Sequence, residues 1–369
     1  MADVPDKIKT WQMTQPWRKD RETGEVTEGN LELVEIDVPE LQEGDVLVEV
    51  AGCGVCHTDL GYFYSGVPTV TKPPLTLGHE ISGIVVAGKE DMIGKEVIIP
   101  AVMPDNTCDI CKQGRGNRCL AQKMPGNSMG LYGGFSSHIP VPAEDLCIVE
   151  NRNDFELADL AVIADAVTTP YQACTRAGLK GGENVVVIGI TGGVGVYVAQ
   201  MAKAFGAKTV VGIARNQEKL DRALEHGADF VINSTDKDSK AIKDEFKALC
   251  KENGLPNYGW IIFEAGGSKT TQDIGLELIS FVGKLVVIGF GMHKNEYNIS
   301  KLMAFDAEII GTWGCLPEYY PQALKWVLDG TIKIKPFLEK RPMSTIKDAF
   351  EEAHSGKLSK RIVLTPDFE

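Results

Sequence analysis

Short apolar runs punctuated by Gly and Pro mark the chain up to about residue 160, among them 45–50 (Asp-Val-Leu-Val-Glu-Val), 81–86 (Ile-Ser-Gly-Ile-Val-Val) and 96–99 (Glu-Val-Ile-Ile). Runs of this length between turn-forming residues predict strands joined by long loops. From about residue 157 the pattern changes. The stretch 157–177 predicts a helix, and 184–190 (Asn-Val-Val-Val-Ile-Gly-Ile) predicts a strand buried on both faces. A helix over 193–205 and a strand over 208–213 follow, and the alternation continues through strands at 258–263 and 284–289. This rhythm is that of an α/β domain with a doubly wound parallel sheet. After about residue 313 it stops, leaving helices at 319–328 and 346–353, a segment around 334–341 and a last strand at 361–364. The charged excursion 17–24 predicts a surface hairpin or loop, and there is no internal repeat.

Composition narrows the function classes. A chain of 369 residues predicts about two domains at roughly 100–200 residues each. With 43% apolar and 24% charged residues, wholesale disorder is excluded. There are 51 Asp plus Glu against 38 Lys plus Arg, a formal charge of −13. That balance argues against a nucleic-acid or anionic-membrane surface, while a phosphorylated ligand held by a few local donors remains compatible. No window reaches the roughly 18 uncharged apolar residues of a membrane helix, and the charged start lacks a signal-peptide core, so a soluble cytoplasmic protein is expected. Nine cysteines, several close together, read as metal ligands plus buried thiols rather than a disulfide framework.

The candidate chemistry lies in three places. First, the strand ending at Ile188 runs into Gly189-Ile-Thr-Gly-Gly-Val-Gly195 and then a helix. Glycines there allow a tight turn and close approach of backbone to a pyrophosphate at the helix's positive end. Gly192 and Gly195 fit the G-x-G-x-x-G spacing, but Ile190 stands where the first Gly should be and Gly189 supplies the turn one residue early. The next strand ends at Ala214 and Arg215, without the usual ribose-binding acid. Arg215 can pair with a 2′-phosphate, stack on adenine or be solvated, so local chemistry leaves NAD and NADP both open.

Second, Cys56-His-Thr-Asp59 precedes Gly78-His-Glu80 in loop-like contexts. A thiolate, an imidazole and a nearby carboxylate suit zinc. Third, Cys108, Cys111 and Cys119 fall in one glycine-bearing loop, a pattern typical of closed structural metal sites; with only three sulfurs, either the fourth ligand comes from elsewhere or the site is empty.

These motifs, in their order and spacing and together with Arg361-Ile-Val-Leu-Thr365, resemble the zinc-containing medium-chain alcohol dehydrogenases over nearly the full chain. The resemblance implies a GroES-like, β-rich catalytic domain over 1–165 and 313–369 and a Rossmann NAD-binding domain over 166–312. It implies a catalytic zinc held by Cys56, His79 and Asp165, with Glu80 near the metal and Asp59 orienting the ligand histidine. It implies a structural zinc held by Asp105, Cys108, Cys111 and Cys119, where Asp105 replaces the family's first cysteine. Thr58 matches the hydroxyl that handles the alcohol proton, but the relay histidine three residues on is Gly61. Cofactor contacts are implied for His57, Thr169, Gly189, Gly192, Gly193, Val194, Gly195, Ala214, Arg215, Gly289 and Arg361.

Within the family the chain most resembles the branch acting on 6-hydroxycyclohex-1-ene-1-carbonyl-CoA in anaerobic benzoyl-CoA degradation. The cues are Asp165, Gly61 and the 17–24 excursion. That resemblance implies NAD-linked oxidation of a ring hydroxyl on a CoA thioester to the 6-oxo enoyl-CoA, with 1,4-hydride addition to the enone available in reverse. Arg18, Lys19 and Arg21 are candidate phosphate contacts, and a homo-oligomer (dimer or tetramer) is expected. The alternative is a general zinc-dependent dehydrogenase of free alcohols. A zinc-free reductase, or a binding protein on the same fold, is disfavoured by the presence of Cys56, His79 and Asp165 beside the glycine turn.

Overall fold

A computed structural model describes residues 4–20 and 22–368, so the candidate phosphate contact Arg21 lies outside the described residues. The chain divides into two compact units: Met1–Thr168 with Gly314–Leu328 and Ile334–Glu369, and Thr169–Trp313 with Asp329–Lys333. The single carboxyl-terminal block expected over 313–369 is therefore interrupted. Asp329–Lys333 belongs to the second unit because Lys333 N donates to Gln200 Oε1 at 2.7 Å and Gln200 Nε2 donates to the Lys333 carbonyl at 3.3 Å.

In the first unit, strands run in the order Cys147–Ile148, Glu96–Ile99, Glu80–Gly88, Asp45–Gly54, Arg361–Thr365 and Leu338–Pro342, and His138–Pro142 also pairs with Asp45–Gly54. Asp45–Gly54 is nearly continuously apolar because neighbours flank it, and Val46, Leu47 and Val48 are fully buried. A smaller sheet joins Lys7–Gln15 to Asn30–Asp37 and Leu75–Thr76. Helix His57–Tyr64 is held down by Phe63, whose ring meets Phe350 edge-on at 5.7 Å, while Phe350 meets Phe135 at 5.6 Å. Truncating so central a ring costs about 3–5 kcal/mol, so Phe350 supports the helix that starts directly after the first candidate ligand, Cys56. The 17–24 excursion forms a small hairpin, Arg18–Lys19 against Val26–Thr27, anchored where Trp17 N donates to the Phe63 carbonyl at 2.7 Å.

The second unit holds a six-stranded sheet in the order Phe230–Asn233, Thr209–Ala214, Asn184–Ile188, Ile261–Glu264, Lys284–Val287 and Glu308–Gly311, all parallel. Val185, Val186 and Val187 are fully buried, as a central parallel strand covered on both faces requires. The order reverses between Asn184–Ile188 and Ile261–Glu264, the crevice where ligands bind in such sheets. The outer strand Glu308–Gly311 is mostly exposed. Among the described residues no helix is long and apolar enough to cross a membrane.

One helix expected over 157–177 is instead two elements. A 3-10 stretch, Leu157–Ala164, ends at Asp165 with φ −140° and ψ −56°, and an α-helix, Thr168–Ala177, restarts after it. In an unbroken helix the Ala164 carbonyl would serve the amide four residues on. Here it accepts the Thr168 hydroxyl at 3.2 Å and also the Tyr320 hydroxyl.

Candidate functional site

Cys56 is the residue just before helix His57–Tyr64 and ends the turn out of strand Asp45–Gly54. His79 immediately precedes strand Glu80–Gly88. Asp165 sits at the helix break just described. Three separate elements of the first unit thereby converge: one ligand atom each of Cys56, His79, Glu80 and Asp165 lies within 4.8 Å of all the others. Cys56 Sγ is 3.5 Å from Asp165 Oδ2, and His79 Nε2 is 3.6 Å from the same oxygen. Thr58 Oγ1 is 3.7 Å from Cys56 Sγ.

Asp59, fully buried, ties this arrangement together. Its Oδ2 accepts Cys56 N at 3.1 Å, and its Oδ1 accepts Gly78 N at 3.0 Å and faces His79 Nδ1 at 3.2 Å. With one proton held on Nδ1 by Asp59, it is Nε2 that gives up its proton to present a lone pair toward Cys56 and Asp165 when a metal binds. Burial pulls the His79 imidazole down, but the Asp59 charge and hydrogen bonds to Asp165, Asp59 and Cys56 outweigh it and hold it well above the ordinary value. Burial raises the Glu80 carboxyl to about 7, although Arg361 opposes this from 3.1 Å. Arg361 Nη1 also donates to the Val55 carbonyl at 3.2 Å, so this candidate cofactor contact is part of a buried ion pair beside the cluster.

The donor sets fit zinc. Ligands placed tetrahedrally at zinc's usual bond lengths stand about 3.5 Å apart for thiolate and carboxylate, about 3.3 Å for imidazole and carboxylate and about 3.8 Å for two thiolates. The Cys56, His79 and Asp165 separations match these to within a few tenths of an ångström. A second cluster, Asp105, Cys108, Cys111 and Cys119, also has its ligand atoms within 4.8 Å of one another. Cys108 Sγ is 3.5 Å from Cys111 Sγ and 3.8 Å from Cys119 Sγ, and Cys111 Sγ is 3.4 Å from Asp105 Oδ1, with every cysteine a free thiol. Asp105 Oδ1 is fixed by the amides of Thr107 and Cys108, at 2.9 and 3.0 Å. These backbone hydrogen bonds hold its carboxyl well below the usual range.

The remaining cofactor candidates split between the units. His57 begins its helix in the first. Thr169, on the first turn of Thr168–Ala177, lies in the second, as do the glycine turn, Ala214, Arg215 and Gly289. Gly189 has φ +79°, and Gly192 N closes the turn onto the Gly189 carbonyl at 2.9 Å. A Cβ on Gly195 would stand 2.1 Å from that carbonyl, so the backbone contact requires glycine. Gly192, Gly193 and Val194 form the bend into helix Gly195–Ala204. The off-pattern Ile190 is fully buried and fills the space over Gly212, where a Cβ would come within 2.5 Å of its Cδ1. Ala214 is buried at its strand's end, Arg215 is exposed, and Gly289 N donates to the Glu264 carbonyl at 2.9 Å.

Residues that sequence reasoning missed are Thr168 and Tyr320, which brace the carbonyl preceding Asp165. Thr168 is close in sequence, but nothing local points to Tyr320.

Residues 42–151 match the alcohol dehydrogenase GroES-like domain and residues 193–329 the zinc-binding dehydrogenase domain. An alcohol dehydrogenase of Geobacillus stearothermophilus is 31% identical, over 90% of this chain and 95% of its own. A D-arabinose 1-dehydrogenase (NADP(+)) of Saccharolobus solfataricus is 30% identical, over 91% of this chain and 94% of its own. The solved galactitol-1-phosphate dehydrogenase of Escherichia coli superposes with a TM-score of 0.82 at 23% identity, covering 97% of this chain and 100% of that one, and so shows the shared fold. The motifs, the GroES-like and Rossmann units and relatives of this identity and coverage show that the chain belongs to the zinc-binding medium-chain alcohol dehydrogenase family, oxidoreductases acting on CH–OH groups.

Proposed function

We propose that the chain is an NAD-linked dehydrogenase whose catalytic zinc is held by Cys56, His79 and Asp165, with a structural zinc on Asp105, Cys108, Cys111 and Cys119. The observation that carries this reading is the convergence of Cys56, His79, Glu80 and Asp165 within 4.8 Å on an Asp59 support. Bound zinc supplies Lewis acidity that lowers the pKa of a substrate hydroxyl. The protein's own part is orientation and proton handling. Asp59 sets the His79 tautomer, and Thr58, whose hydroxyl is 3.7 Å from Cys56 Sγ, would accept the alcohol proton while passing its own on to cofactor or water, because Gly61 offers no imidazole for that step. A nicotinamide cofactor would supply the hydride acceptor for the carbinol carbon once the two are held in contact. The Gly189–Gly195 turn is the pyrophosphate seat, with Ala214 and Arg215 near the adenosine ribose, and NAD is the assigned cofactor because one exposed arginine is too little to select a 2′-phosphate.

The substrate assigned within this reading is a cyclic allylic alcohol carried as a CoA thioester, 6-hydroxycyclohex-1-ene-1-carbonyl-CoA, or its enone. Asp165, Gly61 and the hairpin presenting exposed Arg18 and Lys19 support it. Remote CoA contacts would then provide the binding energy that positions the ring. The exposed outer strand Glu308–Gly311, with Ile309 and the nearby Met303 exposed, supports a homo-oligomer. The test is kcat/KM for that thioester against ethanol, benzyl alcohol and cyclohexanol, with NAD and NADP separately. The thioester with NAD is expected to exceed every free alcohol. A free alcohol that matches it removes the CoA reading and leaves a general zinc alcohol dehydrogenase, and a tenfold preference for NADP overturns the cofactor assignment.

A further inference from the structure

Asp165 meets Cys56 and His79 at the point where the chain leaves the helical path, and the side chains that bond the backbone there are buried. The Tyr320 ring is fully buried at the start of helix Tyr320–Leu328. Its hydroxyl accepts Ala101 N at 3.0 Å, just past strand Glu96–Ile99, and donates to the Ala164 carbonyl. The Thr168 hydroxyl, also fully buried, donates to the same carbonyl at 3.2 Å. One peptide plane immediately before Asp165 is thus clamped from two sides, by a residue three positions after Asp165 and by one brought from a distant helix. We infer that Tyr320 is a positioning residue for the metal centre: by bridging Ala101 N–H and the Ala164 carbonyl, it fixes the backbone that aims the Asp165 carboxylate at Cys56 and His79.

This inference rests on the reading of Cys56, His79 and Asp165 as a zinc site. Supporting groups behind metal ligands typically change metal affinity by about 10–100-fold when removed. Tyr320→Phe is therefore expected to release its catalytic zinc to a chromogenic chelator about 10-fold faster than wild type. The structural equivalent of zinc should leave at the wild-type rate. When cobalt replaces zinc, the thiolate-to-cobalt absorption should shift in the variant because the carboxylate ligand is displaced. Thr168→Val, which removes the second clamp, should shift both readouts the same way and serves if Tyr320→Phe fails to fold.

A purely structural role is separated by Val327→Ala, a fully buried position on the same helix. That variant is expected to lower the melting temperature without changing zinc release or the cobalt spectrum. If Tyr320→Phe and Thr168→Val keep wild-type release and spectrum, or if Val327→Ala changes them equally, the inference is overturned. If instead Asp165→Asn releases zinc as wild type does, the metal reading itself fails.

Discussion

Replacing Asp59 with Asn is the sharpest single perturbation of the site, because one side chain holds two candidate ligands. The carboxylate accepts from Cys56 N and Gly78 N and faces His79 Nδ1, with no exposure to solvent. An amide has one acceptor oxygen. If it replaces Oδ1, the NH2 group meets the Cys56 amide. If it replaces Oδ2, the NH2 group meets both Gly78 N–H and the His79 ring, driving the imidazole proton toward Nε2, where a metal needs a lone pair. Either way a buried donor loses its acceptor and the balancing charge is gone. Losing a hydrogen bond to a charged acceptor costs about 1.5–3 kcal/mol. For a domain of this size that lowers the melting temperature by about 3–12 °C. Zinc affinity should fall about 10–100-fold, or about 1.4–2.7 kcal/mol. Competitive titration against a chelator reads the affinity, and thermal unfolding of the apo and zinc-loaded forms reads the stability. An Asp59→Asn protein that keeps zinc within twofold of wild type and melts within a degree of it would refute the argument that Asp59 organises the ligands.

Other perturbations separate the remaining parts. Cys111→Ser should lose one equivalent of zinc and about 5 °C or more of thermal stability while kcat stays within about twofold, since a closed site contributes folding energy rather than chemistry. Unchanged zinc content and melting would count against the structural site. Gly195→Ala forces a Cβ to within 2.1 Å of the Gly189 carbonyl. Dinucleotide affinity should fall by about tenfold or more as the turn opens away from the pyrophosphate, with zinc content unchanged, and calorimetric titration with NAD checks it.

What could be read from the sequence follows from how local each signal is. The glycine turn and the Cys56-to-Asp59 and Gly78-to-Glu80 segments are short motifs, and their geometry is made within a few residues, as when Gly192 closes onto Gly189. The central parallel strands were legible because burial on both faces leaves an uninterrupted apolar run in Val185, Val186 and Val187. Glu308–Gly311 was not, since an exposed outer strand carries no such run. The break at Asp165 was hidden for a different reason. Leu157 through Ala164 is buried throughout, so its pattern has no polar face to betray a change of path, and one partner of the Ala164 carbonyl, Tyr320, lies 156 positions away. Likewise the attachment of Asp329–Lys333 to the second unit hangs on the pairing of Gln200 with Lys333, a contact 133 positions apart that no local periodicity encodes.

The most direct measurement of the central claim is an anomalous difference map recorded on either side of the zinc absorption edge from crystals of the purified protein. The account predicts two zinc peaks per chain, one bounded by Cys56 Sγ, His79 Nε2 and the Asp165 carboxylate, the other by Asp105, Cys108, Cys111 and Cys119. A zinc-replete, active protein whose map shows no peak among Cys56, His79 and Asp165 would contradict it.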